Sequence, residues 1–371
     1  MAVAGLGRPL GLDRKVATGG SSIGDIVTRL APPSGQFLEA DGRQLSKAMY
    51  PKLFAAIGDA FSAADFTAGF SAVTLSASST WSAIAYGSGS TFVAISEAGL
   101  SSISTDNGAT WVAGGALPAG TWRRIAYGAG LFVAMADASA ICATSPDGVT
   151  WTPRAMPSTL SWRAVAYGGG KFVAIANSSA ITAVSADGVT WASGGAVPNA
   201  SWQSVTYGNG TFVAVATATN IMASSVNGGA SWYSAGMPAS AAWSSVAYGN
   251  GVFVAVASGT AAGATSTNGI NWVTLTLSYA SLAIAFGAGA FVAPMSALPN
   301  TYVTGSGSAL GNNIPTPDFP YSSAAYGAGV FVMVKSGSNS AARASVFSSP
   351  NFNLPLVKPG DGRSTAYIKV A

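Results

Sequence analysis

Side chains that could carry acid–base or nucleophilic chemistry are scarce in this chain of 371 residues. Charged residues make up 8% of it, against about 25% in an ordinary soluble domain, and histidine is absent. The missing histidine excludes imidazole as a general base, a metal ligand or a pH switch. Two chemistries remain open, because a pair of carboxylates could hydrolyse a glycosidic bond and arginines could bind an acidic sugar or a phosphate.

The central region supplies candidates for both chemistries. Its carboxylates are Glu97, Asp106, Asp137, Asp147, Asp187 and Asp318. Its arginines are Arg123, Arg124, Arg154, Arg163 and Arg343. Three of the aspartates lie in repeated turn motifs, and the other carboxylates form no recognisable catalytic pattern. We therefore expect a protein that is not an enzyme and that holds no metal or cofactor.

The remaining composition narrows the class of protein. The chain is 49% hydrophobic and 10% aromatic, which excludes intrinsic disorder. It has no run of about 20 apolar residues, so no membrane span is expected. Its net charge of +4 is small and its Lys and Arg residues do not cluster, so we expect no nucleic-acid partner.

A repeat of about forty residues must position these side chains. An aromatic residue followed by glycine recurs seven times with spacings of 38 to 41 residues. The seven aromatic residues are Tyr86, Tyr127, Tyr167, Tyr207, Tyr248, Phe286 and Tyr326. Each unit carries short apolar runs bounded by turn residues, which are typical of strands. Four short strands in each forty-residue unit predict a mainly β chain with a seven-bladed β-propeller.

The first and last units indicate how the ring closes. Phe70 stands eleven residues before Trp81, as Trp111 stands before Trp122, which predicts a fourth strand at residues 70–75. That strand has no preceding three strands of its own, and the seventh unit supplies three. We therefore expect the N-terminal strand to close the propeller, which would leave no free strand edges.

The turn between the third and fourth strands resembles the Asp-box of sialidase-like (BNR) propellers. The first unit carries it as Ser104, Asp106, Gly108 and Trp111. The other copies are Asp147, Gly148 and Trp151; Asp187, Gly188 and Trp191; Asn227, Gly229 and Trp232; and Asn268, Gly269 and Trp272. The resemblance implies a structural turn away from any active site.

Two arginines are candidate receptor-binding residues. Arg123 and Arg163 each follow the first-strand tryptophan of consecutive units, so they should lie side by side around the ring. They could form a small positive patch for an acidic sugar or a lipopolysaccharide phosphate, or they could be ordinary solvated arginines. The first-strand tryptophans recur strictly, which favours packing over sugar stacking.

The flanking segments contain an ordered series of motif residues, which are Gly24, Asp25, Gly35, Asp41, Gly42, Tyr50, Pro51, Leu53, Phe54, Gly58, Phe352 and Pro355. In this order they resemble the phage tail collar domain of bacteriophage tail fibres. The last two follow the seventh unit, which predicts that the propeller is inserted into one loop of a small α+β domain. We expect an N-terminal arm at residues 1–20, a discontinuous collar domain at 21–65 and 348–371, and the propeller at 66–347. A short helix is expected near Pro51–Gly58.

The resemblance implies a structural protein of the virion tail, made in the cytoplasm of the host bacterium. We expect the arm and collar to contact other tail proteins and the propeller to bind a host glycan or lipopolysaccharide. Tail-fibre relatives imply a homotrimer. The alternatives are a protein that only decorates or braces the tail and, less well supported, a glycosidase or depolymerase. No charged residue lies between Asp187 and Asp318, which predicts one neutral side of the ring.

Overall fold

The chain divides into two compact units. The computed structural model describes residues 26–29, 37–39, 44–46, 64–65, 69–304, 312–348, 351–353 and 365–369. One unit comprises residues 1–65 and 347–371, and the other comprises residues 66–346. All regular secondary structure in the described residues is β-strand.

The first unit combines strands from both ends of the sequence. Its strands are β1 (Ile26–Arg29), β2 (Phe37–Glu39), β3 (Gln44–Ser46), β4 (Ala64–Asp65), β31 (Phe347–Ser348), β32 (Asn351–Asn353) and β33 (Thr365–Lys369). Strand β33 lies between β1 and β2, β32 pairs with β3, and β31 pairs with β4, all antiparallel. The described residues here contain no helix, so the predicted α+β character is not observed in them.

Most of the predicted collar positions lie outside the described residues. Among them are the arm at residues 1–20, the expected helix and the residues Gly24, Asp25, Gly35, Asp41, Gly42, Tyr50, Pro51, Leu53, Phe54, Gly58 and Pro355. Phe352 is the exception, because it lies in β32 opposite Leu45.

The second unit contains five four-stranded antiparallel sheets. In chain order their strands are β9 (Thr121–Gly128), β10 (Leu131–Asp137), β11 (Ser139–Ser145) and β12 (Thr152–Leu160); β13 (Trp162–Gly168), β14 (Lys171–Ala176), β15 (Thr182–Ser185) and β16 (Ala192–Ser193); β17 (Ser201–Gly208), β18 (Thr211–Thr217), β19 (Thr219–Ser225) and β20 (Tyr233–Ala241); β21 (Trp243–Gly249), β22 (Val252–Ala257), β23 (Ala262–Ser266) and β24 (Val273–Thr276); β25 (Ala285–Gly287), β26 (Ala290–Pro294), β27 (Asn300–Thr304) and β28 (Asn312–Pro315). Each sheet corresponds to one sequence unit, as the repeat predicts. The fourth strand begins after the turn tryptophan rather than running through it.

A sixth sheet joins the first and last units and has six strands. Its strands in spatial order are β29 (Tyr321–Gly327), β30 (Val330–Ser345), β5 (Ser71–Tyr86), β6 (Phe92–Ser96), β7 (Ser101–Ser104) and β8 (Val112–Ala113). The propeller therefore has six blades, and the prediction of seven separate four-stranded blades was wrong. The reason is that β5 and β30 each run for 16 residues, so β5 continues from the last sequence unit into the first.

The pairing of β5 closes the ring. Its N-terminal half pairs with β30, with Ser71 opposite Arg343 and Thr74 opposite Ser340. Its C-terminal half pairs with β6, with Trp81 opposite Ser96. An N-terminal strand thus completes the last unit, which is the closure that the position of Phe70 predicts.

The glycine that follows each repeated aromatic residue allows neighbouring units to approach closely. A Cβ atom on Gly168 would lie 2.0 Å from Cγ of Tyr207, and one on Gly327 would lie 2.0 Å from Cγ of Tyr86. The other contacts are Gly87 with Phe132, Gly128 with Tyr167, Gly208 with Tyr248, Gly249 with Phe286, and Gly287 with Tyr326. Only a residue without a side chain fits there, so the glycines are required by packing.

The core lies between the sheets. The second strands are almost completely buried, which explains runs such as FVAIA in β14. The five first-strand tryptophans, Trp81, Trp122, Trp162, Trp202 and Trp243, have no exposed surface. Each donates its indole N–H to the carbonyl oxygen of the residue four positions earlier. The complete burial of these tryptophans confirms the packing role predicted for them.

The two ends of the propeller differ. At the end that we call the bulge end, the first strands begin and the second strands finish. The opposite end, the turn end, carries the hairpins after the repeated aromatic residues and the turns that precede the fourth strands. The chain enters the propeller near Ser71 and leaves it at Val346, whose N–H donates to Gly329 O in a turn-end hairpin. Both connections of the propeller are therefore at the turn end.

Candidate functional site

A β-bulge recurs in the first strand of the units, at the residue after the tryptophan or its equivalent. In the second unit Trp122 pairs with Ala136 and Arg124 pairs with Met135, which leaves Arg123 without an opposite residue. The equivalent bulged residues are Ser82, Arg163, Gln203, Ser244 and Ser322. A bulge redirects a side chain and ends regular pairing. The repeated bulge therefore turns one side chain per unit away from the sheet.

Several bulged residues surround one cavity. The cavity has a volume of about 300 Å³. It is lined by Arg124, Gln203, Thr217, Trp243, Ser244, Ser258, Leu282 and Ser322. These residues come from five sequence units, so the cavity lies on the axis of the ring at the bulge end.

Arg123 and Arg163 meet on one carboxylate. Asp137 accepts a hydrogen bond from Arg123 Nε at 3.0 Å and from Arg163 Nη2 at 3.0 Å. Arg123 also forms an ion pair with Glu97. The two arginines are therefore close together, as their spacing predicts, but they belong to a network of two cations and two carboxylates rather than to a free positive patch.

The network holds Asp137 in its charged form. Partial burial raises the pKa of Asp137, but hydrogen bonds from Ser161, Arg123 and Arg163 and the charge of Arg163 outweigh this, so its pKa lies below its usual range. Its side chain is 14% exposed. Asp137 is thus a fixed anion that orients both arginines.

Arg124 is the functional candidate that sequence reasoning did not single out. Its guanidinium lines the cavity and donates one hydrogen bond, from Nη1 to Arg123 O at 3.1 Å. Burial, together with the charges of Arg163 and Arg123, lowers the pKa of Arg124 to about 10. The sequence shows a second arginine directly after Arg123. Its position in the cavity lining could be recognised only once the bulge at Arg123 was known.

Charge is confined to one side of this end of the propeller. The residue at the C-terminal end of the second strand, or directly after it, is Glu97 in the first unit and Asp137 in the second. The corresponding residues of later units are Asn177, Thr217 and Ser258. The uncharged stretch after Asp187 supplies Gln203, Thr217, Ser244 and Ser258 to the lining of the cavity, and Ser322 follows Asp318.

The predicted turn motifs share one hydrogen-bonding pattern. In the first unit Asp106 Oδ1 accepts from Ser104 Oγ at 2.7 Å and from the N–H groups of Ala109 and Thr110. Gly108 has a positive φ and donates to Ser104 Oγ, and Trp111 Nε1 donates to Gly108 O. The same pattern occurs around Asp147 with Gly148 and Trp151, and around Asp187 with Gly188 and Trp191.

Asparagine replaces aspartate in two of these turns. Asn227 Oδ1 accepts from Ser225 Oγ and from Ser231 N, and Asn268 Oδ1 accepts from Ser266 Oγ. Gly229 and Gly269 keep the positive φ, but the indole nitrogens of Trp232 and Trp272 have no hydrogen-bond partner. These turns lie at the turn end and stabilise the blades, so they contribute nothing to the cavity.

The aspartates among the candidate carboxylates of the propeller are held as anions. Asp318 accepts a hydrogen bond from Lys335 Nζ at 2.7 Å, which is the main reason that its pKa is lowered. The pKa is lowered for the aspartates at 106, 137, 147, 187 and 318. An aspartate with a lowered pKa is a poor proton donor at neutral pH. Within the described part of the chain there is no cluster of three or more metal-ligating side chains.

No helix long and apolar enough to cross a membrane occurs among the described residues.

The Phage Tail Collar Domain family model matches residues 25–70. Residues 25–65 of this match lie in the unit that combines both ends of the sequence, and its last five residues lie in the propeller unit. It indicates a structural protein of a phage tail and so a component of the virion. No curated protein matches the chain significantly.

Solved structures share the propeller fold. The virginiamycin B lyase from Staphylococcus aureus is 11% identical, with a TM-score of 0.66 over 75% of this chain and 99% of that one. YCF48 from Cyanidioschyzon merolae is 14% identical, with a TM-score of 0.56 over 75% and 98%. The WD40 propeller domain of Doa1 is 12% identical, with a TM-score of 0.61 over 78% and 99%. The molecule therefore contains a β-propeller and a segment that the Phage Tail Collar Domain model matches.

Proposed function

We propose that this chain is a tail-fibre or tail-tip protein whose propeller binds a glycan or lipopolysaccharide on the host surface through its bulge end. The collar match carries the first part of the proposal. The second part is supported by one feature of the propeller: both chain connections lie at the turn end. The bulge end, with its cavity and its arginines, is thus free of covalent connections.

The chemistry of the bulge end suits a glycan. Arg123 and Arg163 keep guanidinium N–H groups beyond those that bind Asp137, and guanidinium groups bind carboxylates and phosphates. The uncharged side offers the polar groups of Gln203, Thr217 and Ser244. A saccharide with hydroxyl groups and an acidic substituent would meet both kinds of surface.

We also propose a more detailed description of how the sequence units form the ring. We regard the six-stranded sheet as two blades that share β5, so that seven BNR-like units form the ring. The closed series of seven glycine–aromatic contacts supports this interpretation, as do the turns that resemble the Asp-box. We also propose that the arm and the collar contact other tail proteins and that the chain assembles as a homotrimer.

Competition for phage adsorption tests the binding role. Host cells saturated with the purified full chain should adsorb several-fold fewer particles of the phage that encodes it. The double variant Arg123→Gln/Arg163→Gln should compete at least tenfold less well, whereas Arg154→Gln, on an outer strand, should compete normally. Normal adsorption in the presence of excess chain would contradict the binding role and would leave a bracing role in the tail.

An enzymatic role is the second candidate, because a lyase shares the fold. The virginiamycin B lyase variant described as catalytically inactive has one histidine changed to alanine, and this chain contains no histidine. The lowered pKa values of its aspartates also disfavour a glycosidase that needs a protonated acid. Release of oligosaccharides from host polysaccharide by the purified chain would overturn this view.

A further inference from the structure

The axial cavity contains a cation without a counter-ion. Within the described residues no carboxylate lies within ion-pair distance of Arg124, although Arg123 and Arg163 each have one. Its single hydrogen bond to Arg123 O leaves most of its five N–H donors unused. Arg124 is partly buried, and a cation held partly away from water is stabilised when an anion pairs with it.

The opposite wall of the cavity offers hydrogen-bond acceptors. Ser244 Oγ donates to Val256 O or Ser281 O, Ser258 Oγ donates to Ala242 O, and Ser322 Oγ donates to Trp81 O or Val334 O. All three serines line the cavity, and a hydroxyl whose proton is directed at the backbone keeps its oxygen lone pairs for accepting hydrogen bonds. Acceptors of this kind suit the hydroxyl groups of a sugar.

We propose that this cavity is a binding site for an acidic sugar, with Arg124 binding the carboxylate or phosphate and the serine oxygens accepting hydrogen bonds from the sugar hydroxyls. A guanidinium can bind either oxyanion through two parallel hydrogen bonds. No carboxylate is among the described residues that line the cavity, and Arg124 would repel a cationic ligand. The volume of about 300 Å³ lies at the lower limit of small-molecule sites, which fits a single sugar residue.

This inference goes beyond the proposed function, because it concerns the propeller alone and holds whatever particle contains the chain. The ligand-binding role proposed for Arg124 differs in one respect from the receptor-binding role predicted for Arg123 and Arg163. Those arginines already have carboxylate partners, whereas Arg124 has none among the described residues. The acidic group of the ligand would supply the missing anion.

Calorimetric titration of the full chain tests the site. The probes are glucuronic acid for the carboxylate, glucose 1-phosphate for the phosphate, and glucose as the neutral control. At least one acidic sugar should bind, and glucose should bind at least tenfold more weakly. Failure of both acidic sugars to bind would overturn the proposal, as would equal binding of glucose. Inorganic phosphate that binds as tightly as glucose 1-phosphate would overturn the sugar part of it.

Two variants assign the binding to Arg124. Arg124→Gln should weaken binding of the acidic sugar at least tenfold, whereas Arg154→Gln should leave it unchanged. Without ligand, Arg124→Gln should unfold at the same temperature as the unaltered chain or higher, because it removes an unpaired cation. This second readout separates lost binding from lost folding. Unchanged binding in a folded Arg124→Gln protein would overturn the assignment.

Discussion

At the scale of single residues, the same side chain can be structural or functional according to its partners. Asp106 and Asp137 are both anions, but Asp106 organises a turn through neutral donors and Asp137 orients two arginines. Arg123 and Arg124 are neighbours in sequence, yet one is paired with carboxylates and the other faces a cavity. The difference arises from the bulge, which no property of either residue reveals.

Asp106 allows a test of the turn motif. Its pKa is lowered to about 2, chiefly by the hydrogen bonds from the Thr110 hydroxyl and backbone N–H. Asp106→Ala should lower the free energy of unfolding by about 1 kcal/mol, because it removes several hydrogen bonds at an exposed site. Asp106→Asn should cost less, since Asn227 forms the same contacts in an equivalent turn. Denaturant unfolding of both variants measures the difference.

The pH dependence provides a further readout of the same site. Because the pKa of Asp106 is lower in the folded chain than in the unfolded one, its contribution is present above about pH 4 and is lost as the pH falls towards 2. The stability advantage of the unaltered chain over Asp106→Asn should therefore shrink in that interval. An advantage that is constant from pH 5 to pH 2 would show that the carboxylate charge plays no part.

At the scale of elements, most of the blade could be predicted from the sequence. Five of the units each form a sheet of four strands, as the repeat predicts, since apolar runs and glycine turns determine the strands locally. The bulge could not be predicted, because it depends on how the first strand is paired with the second. The cavity could not be predicted for the same reason, since its lining is assembled from five units. The joining of the first and last units through β5 depends on pairing between residues that are far apart in sequence. A local sequence pattern therefore does not predict it.

The close contacts of these glycines predict that a single added methyl group will destabilise the propeller. Gly168→Ala should lower the free energy of unfolding by about 1–3 kcal/mol, because the new Cβ would overlap the Tyr207 ring. Gly236→Ala is the matched control, since a Cβ there meets nothing within 4 Å. Denaturant unfolding should show little change for the control. Equal effects of the two substitutions would contradict the packing role.

At the scale of the whole molecule, the ring depends on one strand that is distant in sequence from its partner. Ser71 lies opposite Arg343, whereas the equivalent Val112 lies opposite Ile103 in its own unit. Proline at either position removes an N–H from a fourth strand. Ser71→Pro should destabilise the propeller more than Val112→Pro, because it also opens the ring. Thermal unfolding that is lowered equally by both would contradict the closure as a source of stability.

At the scale of the particle, the central claim is that this chain is a component of the virion tail. The most direct measurement is labelling of intact, purified phage particles with an antibody raised against the propeller, viewed by electron microscopy. The account predicts label at the tail of the particle, with adsorption to host cells blocked by the same antibody. Particles that infect normally and carry neither the label nor the protein would contradict it.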